Sequence, residues 1–219
     1  MKMKKLIYLF AAGSVFFACG EAKKTAEETK DVAEASTEAV TYAVNTETSS
    51  VKWVGAKITE TVHTGSVKIS EGSLSVKDGA IEAGNFVIDM NTISNADLTE
   101  ETGASKLVGH LKSADFFMVD TFPTAKFEIS SVEKTEGAEG THKVSGNLTI
   151  KGVTNGITFP ATITTTEAGV EANAKIVINR NEWGIVWGGT QTEQGVKDFL
   201  KNNLIKDEIE FEVSLKATK

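Results

Sequence analysis

Cysteine, proline and histidine are scarce in this 219-residue sequence. A single cysteine, Cys19, excludes any intramolecular disulfide, so the fold must rest on a hydrophobic core. Two prolines, Pro123 and Pro160, exclude a proline-rich extended body. The three histidines, His63, His110 and His142, stand at no metal-ligand spacing, and no cysteine of the body can join them, so no metal site is expected. Catalytic signatures are missing too. There is no Gly-x-Ser-x-Gly elbow, phosphate loop or dinucleotide fingerprint, and the glycine-rich Trp187-Gly188-Gly189-Thr190 lacks a strand-to-helix phosphate context. Neither catalytic residues nor a cofactor are therefore expected. Positive charge is in deficit: the chain carries −7, and −10 once the three lysines at positions 2, 4 and 5 are set aside. Such a body repels nucleic acid and anionic headgroups. Finally, the longest apolar run, Leu6 to Ala18, has 13 residues, a helical rise of about 20 Å against a hydrocarbon core of roughly 30 Å.

Three lysines followed by that short apolar run predict a signal peptide over 1–18. The run ends at Phe16-Phe17-Ala18-Cys19-Gly20, which resembles a bacterial lipobox. That resemblance implies cleavage before Cys19 and acylation of its thiol and amino group. Each buried methylene contributes about 0.8 kcal/mol, so two or three acyl chains anchor stably where one does not. Residues 19–40 are rich in Ala, Glu, Lys and Thr and hold no aromatic residue. They offer too little apolar surface to offset ordering entropy and are expected to form a flexible tether.

From residue 41 onward the pattern is period two. Val51, Trp53 and Gly55 alternate with Lys52, Val54 and Ala56, and His63, Gly65, Val67 and Ile69 follow suit. Leu74 and Val76 lead to the turn Lys77-Asp78-Gly79, then Phe86, Ile88 and Met90. Further alternating runs cover 125–130, 144–150, 157–163, 170–178 and 209–215. This is the signature of antiparallel hairpins with one buried face. Helical stretches are expected at 104–112 and 192–203. About eight sequential strands leave a sandwich or an up-and-down barrel. The small inner residues Gly55, Gly65, Gly146, Ala161, Ala172 and Ala174 favour a barrel that keeps a cavity.

Several segments carry a family resemblance. These are Trp53-Val54-Gly55-Ala56-Lys57, His63-Thr64-Gly65, the stretch from Val108-Gly109-His110-Leu111 through Asp115-Phe116-Phe117, and Thr121-Phe122-Pro123 onward to Phe127. Val144-Ser145-Gly146 through Thr154, and Ile178-Asn179-Arg180-Asn181-Glu182-Trp183-Gly184, complete the set. Together they resemble the YceI-like family of bacterial envelope proteins over about residues 42–217. The resemblance implies a mainly β, lipocalin-like antiparallel up-and-down barrel of about eight strands in a domain spanning 41–219, holding a polyisoprenoid or similar amphiphile. Leu107-Val108 stand where that family often has an Arg-Asp pair.

The candidate ligand-binding set follows from both lines of argument. The aromatic residues Trp53, Phe86, Phe116, Phe117, Phe127, Phe159, Trp183, Trp187 and Phe211 are spread over many strands, with Ile88 and Leu148 beside them. Singly each is core; as a set they can line a hollow for one apolar molecule. His63, His110 and Arg180 are placed at the mouth, as structural groups or contacts for a polar head. The expected ligand is a polyisoprenoid, quinone-like or fatty-amide lipid, and the expected location is the cell envelope, facing the periplasm or the cell surface. A homodimer is compatible with the sequence. Two alternatives stay open: a non-catalytic structural or partner-binding lipoprotein with a filled barrel, and a lipid isomerase or hydrolase, which requires His63, His110 and a carboxylate to converge.

Overall fold

The computed structural model describes residues 25–59, 61–136, 140–189 and 204–219. The expected signal peptide, Cys19, Thr190 and the helix at 192–203 lie outside them. Among the described residues, nine strands form one antiparallel sheet: β1 (Val40–Val44), β2 (Ser50–Ala56), β3 (Val62–Lys77), β4 (Ala80–Asn95), β5 (Thr124–Lys134), β6 (His142–Ile150), β7 (Val153–Thr165), β8 (Gly169–Asn179) and β9 (Glu208–Thr218). The helix α1 (Ala104–Lys112) joins β4 to β5, at the place the sequence predicts.

The sheet closes because β3 pairs with β4 on one side and β2 on the other, while β2 also pairs with β9. β1 pairs with the far end of β3 and the end of β9. β1 and β2 thus share one position in the ring, interrupted where Asn45 Oδ1 accepts the Glu47 and Thr48 amides in a side-chain-closed turn. The result is the expected eight-position up-and-down barrel.

Two hairpins turn on the residues their geometry demands. Asp78-Gly79 and Lys151-Gly152 both have positive φ (51° and 78°; 51° and 74°), as two-residue turns matched to strand twist require. They mark opposite ends. The Asp78 end is closed by a packed cluster that includes Tyr42, Leu74, Val76, Ile81, Val144, Val170 and Leu215. The Lys151 end carries α1, the β2–β3 loop and the long β8–β9 connection.

The small inner residues act in two ways. A Cβ on Gly65 would fall 2.4 Å from the Trp53 ring and 1.9 Å from the Ser94 carbonyl oxygen, and one on Gly146 would fall 2.5 Å from the Phe127 ring. These two glycines admit aromatic rings across the strand, which corrects the expectation that they open space. Gly55, with nothing within 4 Å of its Cβ position, and the alanines of β7 and β8 do border free volume.

Residues 25–39, expected within a free tether, are instead laid around the outside of the barrel as a belt. At the Lys151 end, Thr25 and Ala26 amides donate to the Glu182 carboxylate, and Thr25 Oγ1 accepts the Asn179 amide at 2.7 Å. Glu27 pairs with Gly156 through reciprocal backbone bonds of 2.7 and 3.0 Å. It does so where β7 has no β8 partner, since those strands pair only over Ala161–Thr165 and Val170–Ala174. Pro160, which has no N–H to offer, lies in this unpaired stretch. The belt continues through Lys30, whose amide donates to Asn147 Oδ1 while Asn147 Nδ2 donates to the Lys30 carbonyl. Ala33 N–H then donates to the Ile129 carbonyl, beside the β5 bulge between Ile129 and Ser131. Ser36 N–H reaches Glu82, and Glu38 pairs with Lys77, at the closed end. The composition correctly shows little apolar surface. The grip comes from polar groups of distant strands, which local composition does not reveal.

Candidate functional site

Inside the barrel lies a cavity of about 880 Å³, walled by all eight ring positions and α1. It extends from Leu74, Ile81 and Leu215, near the closed end, to Lys57, His63, Lys106 and His110 at the other. Its walls are overwhelmingly hydrocarbon because most inward register positions of the strands carry Val, Ile, Leu, Phe or Ala. Polar side chains at the wall are few: Lys57, His63, Thr102, Lys106, His110, Asn173, Arg180 and Glu208.

Of the fourteen expected ligand-binding residues, thirteen border this space: Trp53, His63, Phe86, Ile88, His110, Phe116, Phe117, Phe127, Leu148, Phe159, Arg180, Trp187 and Phe211. Trp183 does not. It is fully buried in the packed cluster with Ile178 and Ile185, and its indole N–H donates to the Leu148 carbonyl at 3.0 Å. Its position in the 3-10 turn Arg180–Trp183, and not in a strand, breaks the alternation on which the expectation relied.

Arg180 lies at the wall with its guanidinium held by backbone carbonyls. Nε donates to the Lys206 carbonyl, Nη1 to those of Ile185 and Trp187, and Nη2 to that of Ile205, with Asp207 3.6 Å away. Burial pushes its pKa down and Asp207 pulls it back up. This cation, the chain's only arginine, ties the β8–β9 connection together as a structural clamp. Of the two roles expected for Arg180, this geometry fits the structural one.

The two mouth histidines are held apart, each with its own carboxylate. His63 Nδ1 lies 2.8 Å from Asp97 Oδ2, and Asp97 also accepts from the Thr64 amide and Asn95 Nδ2. Burial raises the Asp97 pKa, but those three hydrogen bonds outweigh it and hold the carboxyl below its ordinary range. His110 Nε2 lies 3.1 Å from Asp115 Oδ2, and its ring meets Trp187 and Phe116 edge-on at 4.4 and 4.9 Å. Among the described residues, no three His, Cys, Asp or Glu side chains converge, so the arrangement that a lipid isomerase or hydrolase would need is not found there. His142 starts β6 at the closed end, away from the cavity.

The residues missed by sequence reasoning are mainly aliphatic: Val51, Ile93, Leu98, Leu107, Ile176, Ile205 and Ile209 all reach the wall. Inward parity identifies those on strands; Leu98, Leu107 and Ile205 stand on connections, where period two gives no signal. Leu107 supplies hydrocarbon where an Arg-Asp pair would have brought charge.

Residues 42–217 match the YceI-like domain. The chain belongs to the YceI-like family. Relatives of this YceI-like chain include the UPF0312 protein of Pseudomonas putida strain F1, 33% identical over 135 residues that cover 59% of this chain and 67% of the relative. The UPF0312 protein of Yersinia enterocolitica is 34% identical over 122 residues, 51% of this chain and 58% of the relative. Among solved structures, Burkholderia cenocepacia BcnA superposes with a TM-score of 0.62 at 21% identity, covering 80% of this chain and 99% of that one. A polyisoprenoid binding domain from Saccharophagus degradans gives 0.56 at 15% identity, covering 81% and 97%. These two likenesses establish the shared YceI-like fold.

Proposed function

We propose that this chain is an envelope lipoprotein, anchored through acyl chains on Cys19, that binds and holds a polyisoprenoid or a similar long apolar amphiphile inside its barrel without catalysis. The cavity carries this reading. Filled with water at about 30 Å³ per molecule, it would hold roughly 30 waters facing walls with few hydrogen-bonding groups. A hydrocarbon chain placed there gains about 0.8 kcal/mol per methylene removed from water. The volume lies within the range of ligand sites, roughly 300–1,000 Å³. The polyisoprenoid-binding relative from Saccharophagus degradans supports the ligand class. Among the described residues the interior is hollow, which favours this reading over the alternative with a filled barrel.

Mass spectrometry of organic extracts from natively purified protein tests this directly. One long-chain apolar species per barrel is the expected result. Protein that yields none, and that also fails to take up a prenyl alcohol or a ubiquinone analogue from vesicles, would end the proposal.

A further inference from the structure

We infer, resting on the reading that Cys19 is acylated, that the open end of the barrel is held against the bilayer that carries the anchor, so that the cavity mouth faces lipid. Two independent observations converge on this. The first is the covalent leash. The belt fastens at Thr25 onto Asn179 and Glu182, both at the mouth end. Cys19 and Thr25 are six residues apart, so the acylated residue lies within about 22 Å of that fastening. Inverting the barrel would lift Thr25 by the tilted length of β8, about 25 Å, beyond a fully stretched leash.

The second is where exposed hydrocarbon sits. Among the described residues, Ile58 and Val186 on loops, Val62 and Val153 at the first residues of β3 and β7, and Val177 near the end of β8 are exposed at the mouth end (Ile58 and Val62 at 44% and 49%), whereas Val32 sits on the belt at mid-barrel and the closed end presents Val40. The acidic body provides no long-range attraction to anionic lipid. The leash makes the contact intramolecular, however, and a few apolar side chains entering the interface then suffice. In this orientation an apolar ligand passes between bilayer and barrel without exposing its methylenes to water, a cost of about 0.8 kcal/mol each.

Acylation consumes the chain's one thiol, so Ile58→Cys, Val153→Cys and Asp78→Cys each offer a single labelling site in the full-length acylated protein. In phosphatidylcholine vesicles bearing a lipid-linked quencher, fluorophores at the first two positions should be quenched about threefold or more beyond one at Asp78→Cys, in the closed-end turn. A Gly/Ser insert of about twenty residues between Cys19 and Thr25 frees the barrel to turn, and should slow uptake of a prenyl alcohol from the same vesicles about fivefold. Equal quenching at all three positions, stronger quenching at Asp78→Cys, or cross-links from Ile58→Cys to another envelope protein in place of quenching would overturn the orientation while leaving ligand binding intact. An unmodified Cys19 by mass spectrometry would overturn it through the anchor instead.

Discussion

The inner wall of the barrel and the belt around its outside are built from the same strands by opposite rules. The wall is a continuous hydrocarbon surface in which Phe86, Phe127, Ile176 and their neighbours share one task, and no individual polar contact defines it. The belt buries little apolar surface and is fixed by single directed bonds to Glu182, Gly156, Asn147, the Ile129 carbonyl and Glu82. Arg180 extends the same directed logic to the mouth. Dispersed apolar surface tolerates substitution by shape, whereas a directed network fails wherever one partner is removed.

The sharpest way to break the contrast is at Arg180. Arg180→Met retains apolar bulk but leaves one buried and three part-buried carbonyl acceptors without their donor, and should destabilise the fold by about 2–4 kcal/mol. Urea denaturation measures it; a loss below about 1 kcal/mol would show that the clamp is dispensable. A change on the wall should behave in the opposite way. Ala172→Phe points bulk into free volume, so stability should shift by less than about 1.5 kcal/mol while affinity for a prenyl ligand falls by about tenfold or more. Retained affinity in a ligand titration would mean that the ligand does not use this part of the hollow.

Two further changes address the belt. In Gly156→Ala the new Cβ would lie 2.3 Å from the Glu28 carbonyl oxygen, which forces the belt off β7. The expected cost is about 1–2 kcal/mol, with faster hydrogen exchange at residues 27–30 and ligand affinity unchanged. If exchange there stays slow, the belt does not depend on close backbone approach. The smallest effect is electrostatic. The Ser36 amide holds the Glu82 carboxyl below its ordinary range, helped by the Ser36 side chain and Lys77 and opposed by slight desolvation. A lowered folded-state pKa contributes stability above the unfolded value and loses it as pH falls through the folded one. The belt should therefore loosen near Ser36 only in acid, and its amide resonance should titrate there in the native chain and stay flat in Glu82→Gln.

Much of the wall was legible beforehand. Period two placed the strands, Asp78-Gly79 the first hairpin, and inward parity most of the residues bordering the cavity. The shift from buried Val67 and Ile69 to buried Leu74 and Val76 changes parity within one strand, and the β3–β4 register slips between Ile69 and Glu71 at that point. The belt was not legible, because its partners lie about a hundred residues or more away for Asn147 and Glu182. Gly156, a glycine within a strand pattern, was the available hint of a backbone passing close by.

Sequence by itself determined the antiparallel strands, their apolar inner face and the helix at 104–112, because side-chain periodicity and turn conformation are local properties of the chain, while closure into a barrel rather than a sandwich was implied by the family resemblance. Only the tertiary structure decided that Trp183 packs away from the hollow, that Arg180 directs its guanidinium to four backbone carbonyls, and that residues 25–39 girdle the outside. Those outcomes depend on which donors and acceptors the closed barrel brings within about 3 Å of one another, and no spacing along the chain encodes that.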